Sequence, residues 1–497
     1  MPVLNQFGPT HFTYILGMQD FMKFPYVDDR FKAVRRETVQ VRVGRALIGG
    51  DAPILVQSMT TTKPKDVDET VRQTLALAAA GCGLVRITAP TFADACGLEE
   101  VMKRVRAAGC DVPVSADIHF QPKAAFEALK WVEKVRINPG NFVDTGILTL
   151  ENQTDKMFDE GKEKVAEAFT PFVQEAKRLG RAIRIGVNHG SLSARMIYRY
   201  GDTVEGMVES AIEYLAVCEA EHFDQVVLSL KSSNPRVAIA AYRLLAARLK
   251  EEKFKPYPFH VGVTEAGAGA DGRLKSAAGI GALLLDGLAD TIRVSLTEDP
   301  VAEVPVAQEL IRVCALDANA PKFDVPAWKK DPYHYARRES TPVVLSGVEM
   351  GGSQPVKVGV KASALSSTKE RRSPEFALAG FENKPLVTFK DAMDVAGFAA
   401  NPSAVPENSL FCYTGADLVP GVRALASALD AAGRKDPILL YAKIDKSEGA
   451  QLKVAAELGS LLTDGLGDAV CIEGGESETA TVALTFDILQ ADACRRS

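Results

Sequence analysis

Cysteine is sparse and unpatterned in this sequence. Cys82, Cys96, Cys110, Cys218, Cys314, Cys412, Cys471 and Cys494 are scattered, and no two stand as Cys-x-x-Cys. That excludes a disulfide framework and any recognisable zinc or cluster motif, and most of these thiols read as isolated buried or surface groups. No apolar stretch is long enough to cross a bilayer. The start, Met1 to Asp29, is mixed aromatic and polar and lacks a basic region followed by an apolar core. Neither a membrane segment nor a signal peptide is expected, so the cytoplasm is the default location. Positive charge is not in excess: a net charge of -6 argues against a general nucleic-acid or membrane-surface binder. A glycine-rich dinucleotide turn is also missing, because Gln57-Ser58-Met59-Thr60 follows the first apolar run. This disfavours a doubly wound nucleotide-binding sheet.

What is present is alternation. Short apolar runs, Ile54–Ser58, Leu84–Thr88, Val112–Ile118, Lys134–Asn138, Ile183–Asn188, Val226–Leu230, His260–Thr264 and Thr291–Leu296, are separated by helical stretches such as Glu69–Ala80, Ala166–Leu179 and Leu274–Asp286. Eight strand–helix units over roughly 250 residues predict a TIM (β/α)8 barrel. The 497 residues leave room for a second α/β unit. Its strands are expected near Val343–Gly347, Val356–Val360, Leu386–Phe389, Leu410–Tyr413, Ile438–Tyr441 and Ala469–Ile472. The expected organisation is an extension over 1–34, the barrel over 35–315, a linker over 316–341 and the second unit over 342–497. One internal echo suggests that this unit is barrel-like too. Leu283-Leu-Leu-Asp-Gly-Leu-Ala-Asp-Thr-Ile-Arg-Val-Ser295 resembles Leu461-Leu-Thr-Asp-Gly-Leu-Gly-Asp-Ala-Val-Cys-Ile-Glu473, with Cys471 in the place of Arg293 and Glu473 in that of Ser295.

Cations recur at one kind of place. Arg86, Arg136, Arg184 and Arg293 each sit between β-branched residues, and Lys231 follows the run Val226–Leu230. An arginine in that setting faces away from its neighbours in a strand. In a barrel the strand ends converge on the active site. There they bring together Gln57, Ser58, Arg86, Asp117, His119, Arg136, Asn138, Asn141, Arg184, Asn188, His189, Lys231, Glu265, Arg293 and Ser295. Several arginines with one lysine suit a diphosphate. Glu265 is the main acid among them, fit to accept from a substrate hydroxyl or to transfer a proton. His119 and His189 are acid–base candidates or loop anchors. The candidate catalytic groups are Glu265, Asn188 and His189. The candidate substrate-binding groups are Arg86, Arg136, Asn138, Arg184, Lys231, Arg293, Ser295, Ser58 and Asp117, and no metal ligands are expected.

The motifs that carry these residues are Val56-Gln-Ser-Met-Thr60, Ala116-Asp-Ile-His-Phe120, Val135-Arg-Ile-Asn-Pro-Gly-Asn141, Ile183-Arg-Ile-Gly-Val-Asn-His-Gly-Ser-Leu-Ser193, Ser229-Leu-Lys-Ser-Ser233, Gly262-Val-Thr-Glu-Ala-Gly267 and Asp290-Thr-Ile-Arg-Val-Ser-Leu-Thr297. Over about residues 35 to 300 they resemble the 4-hydroxy-3-methylbut-2-enyl diphosphate synthase family (IspG/GcpE), in its long form with an inserted domain. The resemblance implies an oxidoreductase of the methylerythritol phosphate route to isoprenoids. Such an enzyme reductively opens 2-C-methyl-D-erythritol 2,4-cyclodiphosphate with loss of water. The resemblance implies two electrons passed from flavodoxin or ferredoxin through a [4Fe-4S] cluster, and a homodimer. By the matching motifs, Arg86, Arg136, Arg184, Lys231 and Ser295 would hold the diphosphate, with Arg293 close by, and Asn188 and Glu265 would face the carbon skeleton. The family's Cys-Pro-Ser-Cys-Gly-Arg cluster motif has no counterpart here, and Cys494 alone cannot replace it. The expectation is a truncated form that binds the cyclodiphosphate without reducing it. A cluster domain on a separate chain and a cluster-free relative are the other readings. A dihydropteroate-synthase-like barrel enzyme and a non-catalytic diphosphate-binding protein are the alternatives in function.

Overall fold

The structure is a computed structural model and describes residues 24–143, 153–345, 347–361, 372–378 and 386–492. Cys494 and most of the N-terminal extension lie outside the described residues.

Leu55–Met59, Leu84–Thr88, Val114–Asp117, Lys134–Ile137, Ala182–Asn188, Val226–Lys231, His260–Val261 and Thr291–Ile292 form one eight-stranded parallel sheet. Thr291–Ile292 pairs with both His260–Val261 and Leu55–Met59, and a bridge from Leu228 to Phe259 joins the remaining edges. The sheet is a nearly closed TIM-like barrel, as the alternation predicts. The outward residues are the β-branched ones: Val85, Ile87, Val135, Ile137, Ile183 and Ile185 are fully buried, as expected for a parallel sheet covered by helices. Beneath the barrel a hairpin, Val41–Val43 with Ala46–Ile48, closes the floor, where Val41, Val43 and Ile48 pack on Leu84, Ala182 and Val227.

The last two barrel strands are shorter than the expected His260–Thr264 and Thr291–Leu296. After Val261 the chain leaves the ladder for a turn in which Glu265 is left-handed (φ +54°). After Ile292 the Leu296 N–H turns to the Glu303 carboxylate (3.1 Å) instead of a neighbouring strand. Residues 315–342 carry no helix or strand, yet they are tied down. Arg338 Nε donates to Asp430 (2.8 Å) and Arg337 Nη2 to Asp468 (2.9 Å).

The second unit is a six-stranded parallel half-barrel, in the spatial order Phe376–Ala377, Lys357–Val360, Ala469–Gly474, Ile438–Ile444, Leu410–Tyr413 and Leu386–Phe389. The expected strand Val343–Gly347 is not part of it. Val343–Leu345 pairs antiparallel with Val348–Met350, the counterpart of the hairpin under the first barrel. The echo in the sequence therefore extends into contacts. Arg35 Nη2 and Thr38 Oγ1 bind Asp290, as Arg337 Nη2 and Ser340 Oγ bind Asp468. Asp290 Oδ2 accepts from Phe259 N, as Asp468 Oδ2 accepts from Ile438 N.

The two units meet through matching helices, Gly269–Leu285 and Ala450–Thr463. A Cβ on Gly281 would lie 2.4 Å from the Ala456 Cβ, and one on Gly459 would lie 2.6 Å from the Ala278 Cβ. The helices thus cross at two reciprocal glycine–alanine contacts, the self-complementary pattern of a two-fold interface. Beside them Arg243 binds Asp286 (2.7 Å) and Asp464 (2.7 Å), while Arg423 binds Asp464 (2.7 Å) and Asp286 (2.9 Å). This ring of two cations and two anions is fully buried.

Candidate functional site

Strand phase decides what faces the barrel interior. Side chains two apart share a face, so Ser115 and Asp117, Lys134 and Arg136, Arg184 and Gly186, Ser229 and Lys231, His260 and Gly262, and Thr291 and Arg293 line up inward. Register places Asp117 opposite Arg136 and Arg136 opposite Arg184 on successive strands. Two glycines make room for the long cations. A Cβ on Gly186 would lie 2.6 Å from Arg136 Nε, and one on Gly262 would lie 3.1 Å from Lys231 Nζ. Glycine weakens a strand interior, and here it admits a close approach.

Asp117 is the hub of the cluster. Its carboxylate meets Arg136 Nη1 at 2.8 Å, Arg86 Nε at 3.2 Å, Arg184 Nη2 at 3.7 Å and His119 Nε2 at 3.6 Å. Burial alone would raise the Asp117 pKa, but the guanidiniums of Arg136, Arg86 and Arg184 hold it well below the usual carboxylate range. Burial lowers Arg86 to about 10 against the pull of Asp117, and a guanidinium there stays charged. Burial, helped by the same arginines, also lowers His119, although Asp117 opposes this. His119 is therefore a neutral imidazole near pH 7, able to give or take one proton at a half-exposed edge of the site.

A second carboxylate, Glu303, holds the other side. It accepts from Arg293 Nη2 (3.0 Å) and Nε (3.2 Å), from Ser58 Oγ (2.7 Å) and from Leu296 N. Four arginines and Lys231 thus face two carboxylates, and the enclosed surplus is cationic. Arg136 Nε and Asn138 Oδ1 are buried without a partner, so the site holds unspent donor and acceptor capacity of the kind a polar ligand fills.

The structure brings Arg86, Asp117, Arg136, Arg184, Lys231 and Arg293 into one cluster. Asn138 stands beside them, with Nδ2 donating to Ser191 Oγ (3.1 Å). Asn188 ends the fifth strand, where it pairs with Lys231. Ser295 lies two residues after Arg293, beyond the end of the strand, and is half-buried. Ser58 is not brought into the cluster. It lies in the phase opposite to Gln57 and Met59, and its hydroxyl is committed to Glu303 and the Pro300 carbonyl. His189 turns its Nε2 to Asp202 (3.4 Å), a largely exposed partner. Glu265 is exposed, and its left-handed backbone is a strained conformation of the kind found at functional sites.

Three interior residues escaped the strand-end reading: Glu303, His260 and Lys134. The last two were legible from period two, since Lys134 shares the face of Arg136 and His260 that of Gly262. Glu303 lies on the helix after the last strand, and no sequence signal marks it. Among the described residues no group of three His, Cys, Asp or Glu side chains could hold a metal. No helix among them is long and apolar enough to cross a membrane.

Residues 38–308 match the GcpE TIM-barrel domain family. A protein of Akkermansia muciniphila is 41% identical over 491 residues, covering 95% of this chain and 83% of its own length. One of Porphyromonas gingivalis is 40% identical over 487 residues, covering 94% and 83%. One of Leptospira interrogans is 46% identical over 338 residues, covering 68% of this chain and 51% of its own. Each of the three is named 4-hydroxy-3-methylbut-2-en-1-yl diphosphate synthase (flavodoxin).

Proposed function

Because this chain belongs to the GcpE family of 4-hydroxy-3-methylbut-2-en-1-yl diphosphate synthases, we propose that its barrel mouth binds 2-C-methyl-D-erythritol 2,4-cyclodiphosphate for reductive opening of the ring. The enzyme is an oxidoreductase of isoprenoid synthesis, with flavodoxin or ferredoxin as electron donor and a homodimer as its assembly in this reading. The observation that carries the proposal is the convergence of Arg86, Arg136 and Arg184 around a single hub, Asp117, with Lys231 joined to Arg184 through His260.

In this reading Asp117 spreads the three guanidiniums and fixes their forks before the substrate arrives. The cost of arranging mutually repelling cations is then met by the fold and not by ligand binding. Arg86, Arg136, Arg184, Lys231 and the Ser295 hydroxyl take the diphosphate oxygens, with Arg293 close by. The open Asn138 Oδ1 accepts from a hydroxyl of the ligand. Asn188 and Glu265 face the carbon skeleton, and His189 stands outside them. Two electrons from flavodoxin or ferredoxin and two protons would open the ring with loss of one water, while this polypeptide alone is expected to bind the cyclodiphosphate without reducing it.

The described residues do not fit an iron–sulfur cluster. The buried thiols of Cys82, Cys218, Cys314, Cys412 and Cys471 are dispersed over both units. Burial raises each of them, away from the thiolate that a cluster needs. No step of this reading runs through a cluster. Iron and acid-labile sulfide analysis of this polypeptide, purified without oxygen, should find well under one cubane per chain, and a stoichiometric cluster would overturn that expectation.

Titration calorimetry tests the binding. The cyclodiphosphate should bind, and a pterin diphosphate of similar charge should not. Arg136→Ala should weaken cyclodiphosphate binding by at least roughly tenfold, as loss of a charge-assisted contact requires. Unchanged affinity would remove Arg136 from the site.

A further inference from the structure

His260 is buried at the root of the cationic cluster, and both of its ring nitrogens face donors. Nδ1 lies 3.3 Å from Arg184 Nη1, and Nε2 lies 3.5 Å from Lys231 Nζ. The backbone carbonyl of His260 accepts from the Tyr242 hydroxyl, which fixes the strand behind the ring. A guanidinium has only donors and does not give up its proton in a protein. Nδ1 must therefore carry the lone pair, and the ring's one proton must sit on Nε2. An imidazolium would point an N–H at the guanidinium. The Nε2–H is then aimed at Lys231 Nζ, and only an unprotonated amine can accept it.

We propose that Lys231 rests as a neutral amine, held by an N–H from His260, and takes up a proton when the diphosphate arrives. This rests on the diphosphate reading of the barrel mouth given above. The balance is simple: a solvent proton adds to the Nζ lone pair, the His260 Nε2–H···Nζ bond breaks, and the new ammonium donates to a phosphate oxygen. His260 is thus a positioning residue that acts through Lys231.

The surroundings agree. Burial lowers Lys231 well below the ordinary lysine range, and Arg86, Arg184 and Arg293 add to this, against Asp117. Burial also lowers His260, reinforced by Lys231 whenever that amine is protonated and by Arg184, Lys134 and Arg86. Arg86, Asp117, Lys134, Arg184 and Arg293, each from a different strand segment, are the charged neighbours of the pair. Lys134 Nζ is itself buried without a hydrogen-bond partner. A neutral Lys231 relieves the crowding of cations in the empty site. A diphosphate reverses the sign of the local field and makes the ammonium favourable. The cyclic diphosphate is esterified at both phosphorus atoms, so it has no proton that titrates near neutrality, and any uptake belongs to the protein.

Two measurements test this. Nitrogen-15 spectra of histidine-labelled protein without ligand should show His260 as the Nε2–H tautomer, and an Nδ1–H tautomer or an imidazolium would overturn the proposal. Calorimetry of cyclodiphosphate binding near pH 8, in buffers of different ionisation enthalpy, should show uptake of about one proton per ligand, with affinity falling up to about tenfold per unit rise in pH. Lys231→Arg, which is always charged, should bind with uptake near zero. Binding to the native protein without uptake, or full uptake by Lys231→Arg, would overturn the inference. His260→Gln, which offers both an oxygen to Arg184 and an N–H to Lys231, should keep the uptake that His260→Leu loses. Full uptake by His260→Leu would remove His260 from this role. Failure of the cyclodiphosphate to bind at all would instead sink the substrate reading, and the tautomer measurement would still decide this one.

Discussion

Replacing Asp117 with Asn should destabilise the protein by about 3–5 kcal/mol, the cost of removing one partner from a buried ionic cluster. Three arginines meet this carboxylate within 3.7 Å, and each side chain of the cluster is nearly inaccessible to water. The amide retains shape and some hydrogen bonding but leaves the guanidiniums uncompensated. The pH dependence gives a second readout. The folded pKa of Asp117 is depressed, so its contribution is fully present above the unfolded value of about 3.9 and is lost as pH falls from there towards the folded value. The difference in urea stability between native protein and variant should hold constant from about pH 8 to 5 and shrink below about pH 4. A difference under about 1 kcal/mol at pH 7 would mean that the arginines are solvated and that Asp117 is not their hub.

Asp464→Asn should be comparably costly, about 3–5 kcal/mol by the same argument, though this residue lies far from the mouth. Its carboxylate accepts from Arg243 of the first unit and Arg423 of the second, both at 2.7 Å. Losing its charge leaves two guanidiniums sharing Asp286 alone. Because the ring spans both units, the variant should also loosen the seam where Gly281 packs on Ala456 and Gly459 on Ala278. Urea denaturation followed by fluorescence should detect the loss, and hydrogen exchange should show it concentrated in the helices Gly269–Leu285 and Ala450–Thr463. An unaltered exchange pattern there would count against the ring as the link between the units. Replacing all four members by apolar residues of similar volume should restore much of the stability, because the desolvation cost of four charges disappears with them.

Much of the fold was legible in the sequence because barrel strands are short β-branched runs buried on both faces. Leu84–Thr88 and Lys134–Ile137 begin where their apolar pattern begins. Strand phase also placed Arg86, Arg136, Arg184 and Lys231 on the inner face, since a period of two is a local property of the chain. Ser58 shows the limit of reading by strand end alone: its neighbours Gln57 and Met59 face inward, and it faces the helix that carries Glu303. The seventh and eighth strands ran short where tertiary hydrogen bonds drew the backbone away, a competition that no local pattern records.

The sequence by itself determined the α/β alternation, the inward face of the cations and the echo around Asp286-Gly287 and Asp464-Gly465. Only the tertiary structure decided which charges meet. Asp117 gathers arginines from strands up to 67 residues away in the chain (Asp117 to Arg184), Glu303 claims Arg293 and Ser58, and Arg243 reaches Asp464 across 221 residues. The protonation of Lys231 is likewise a tertiary matter. Charge in a buried site follows distance and dielectric, and the chain sets these only when it has closed the barrel.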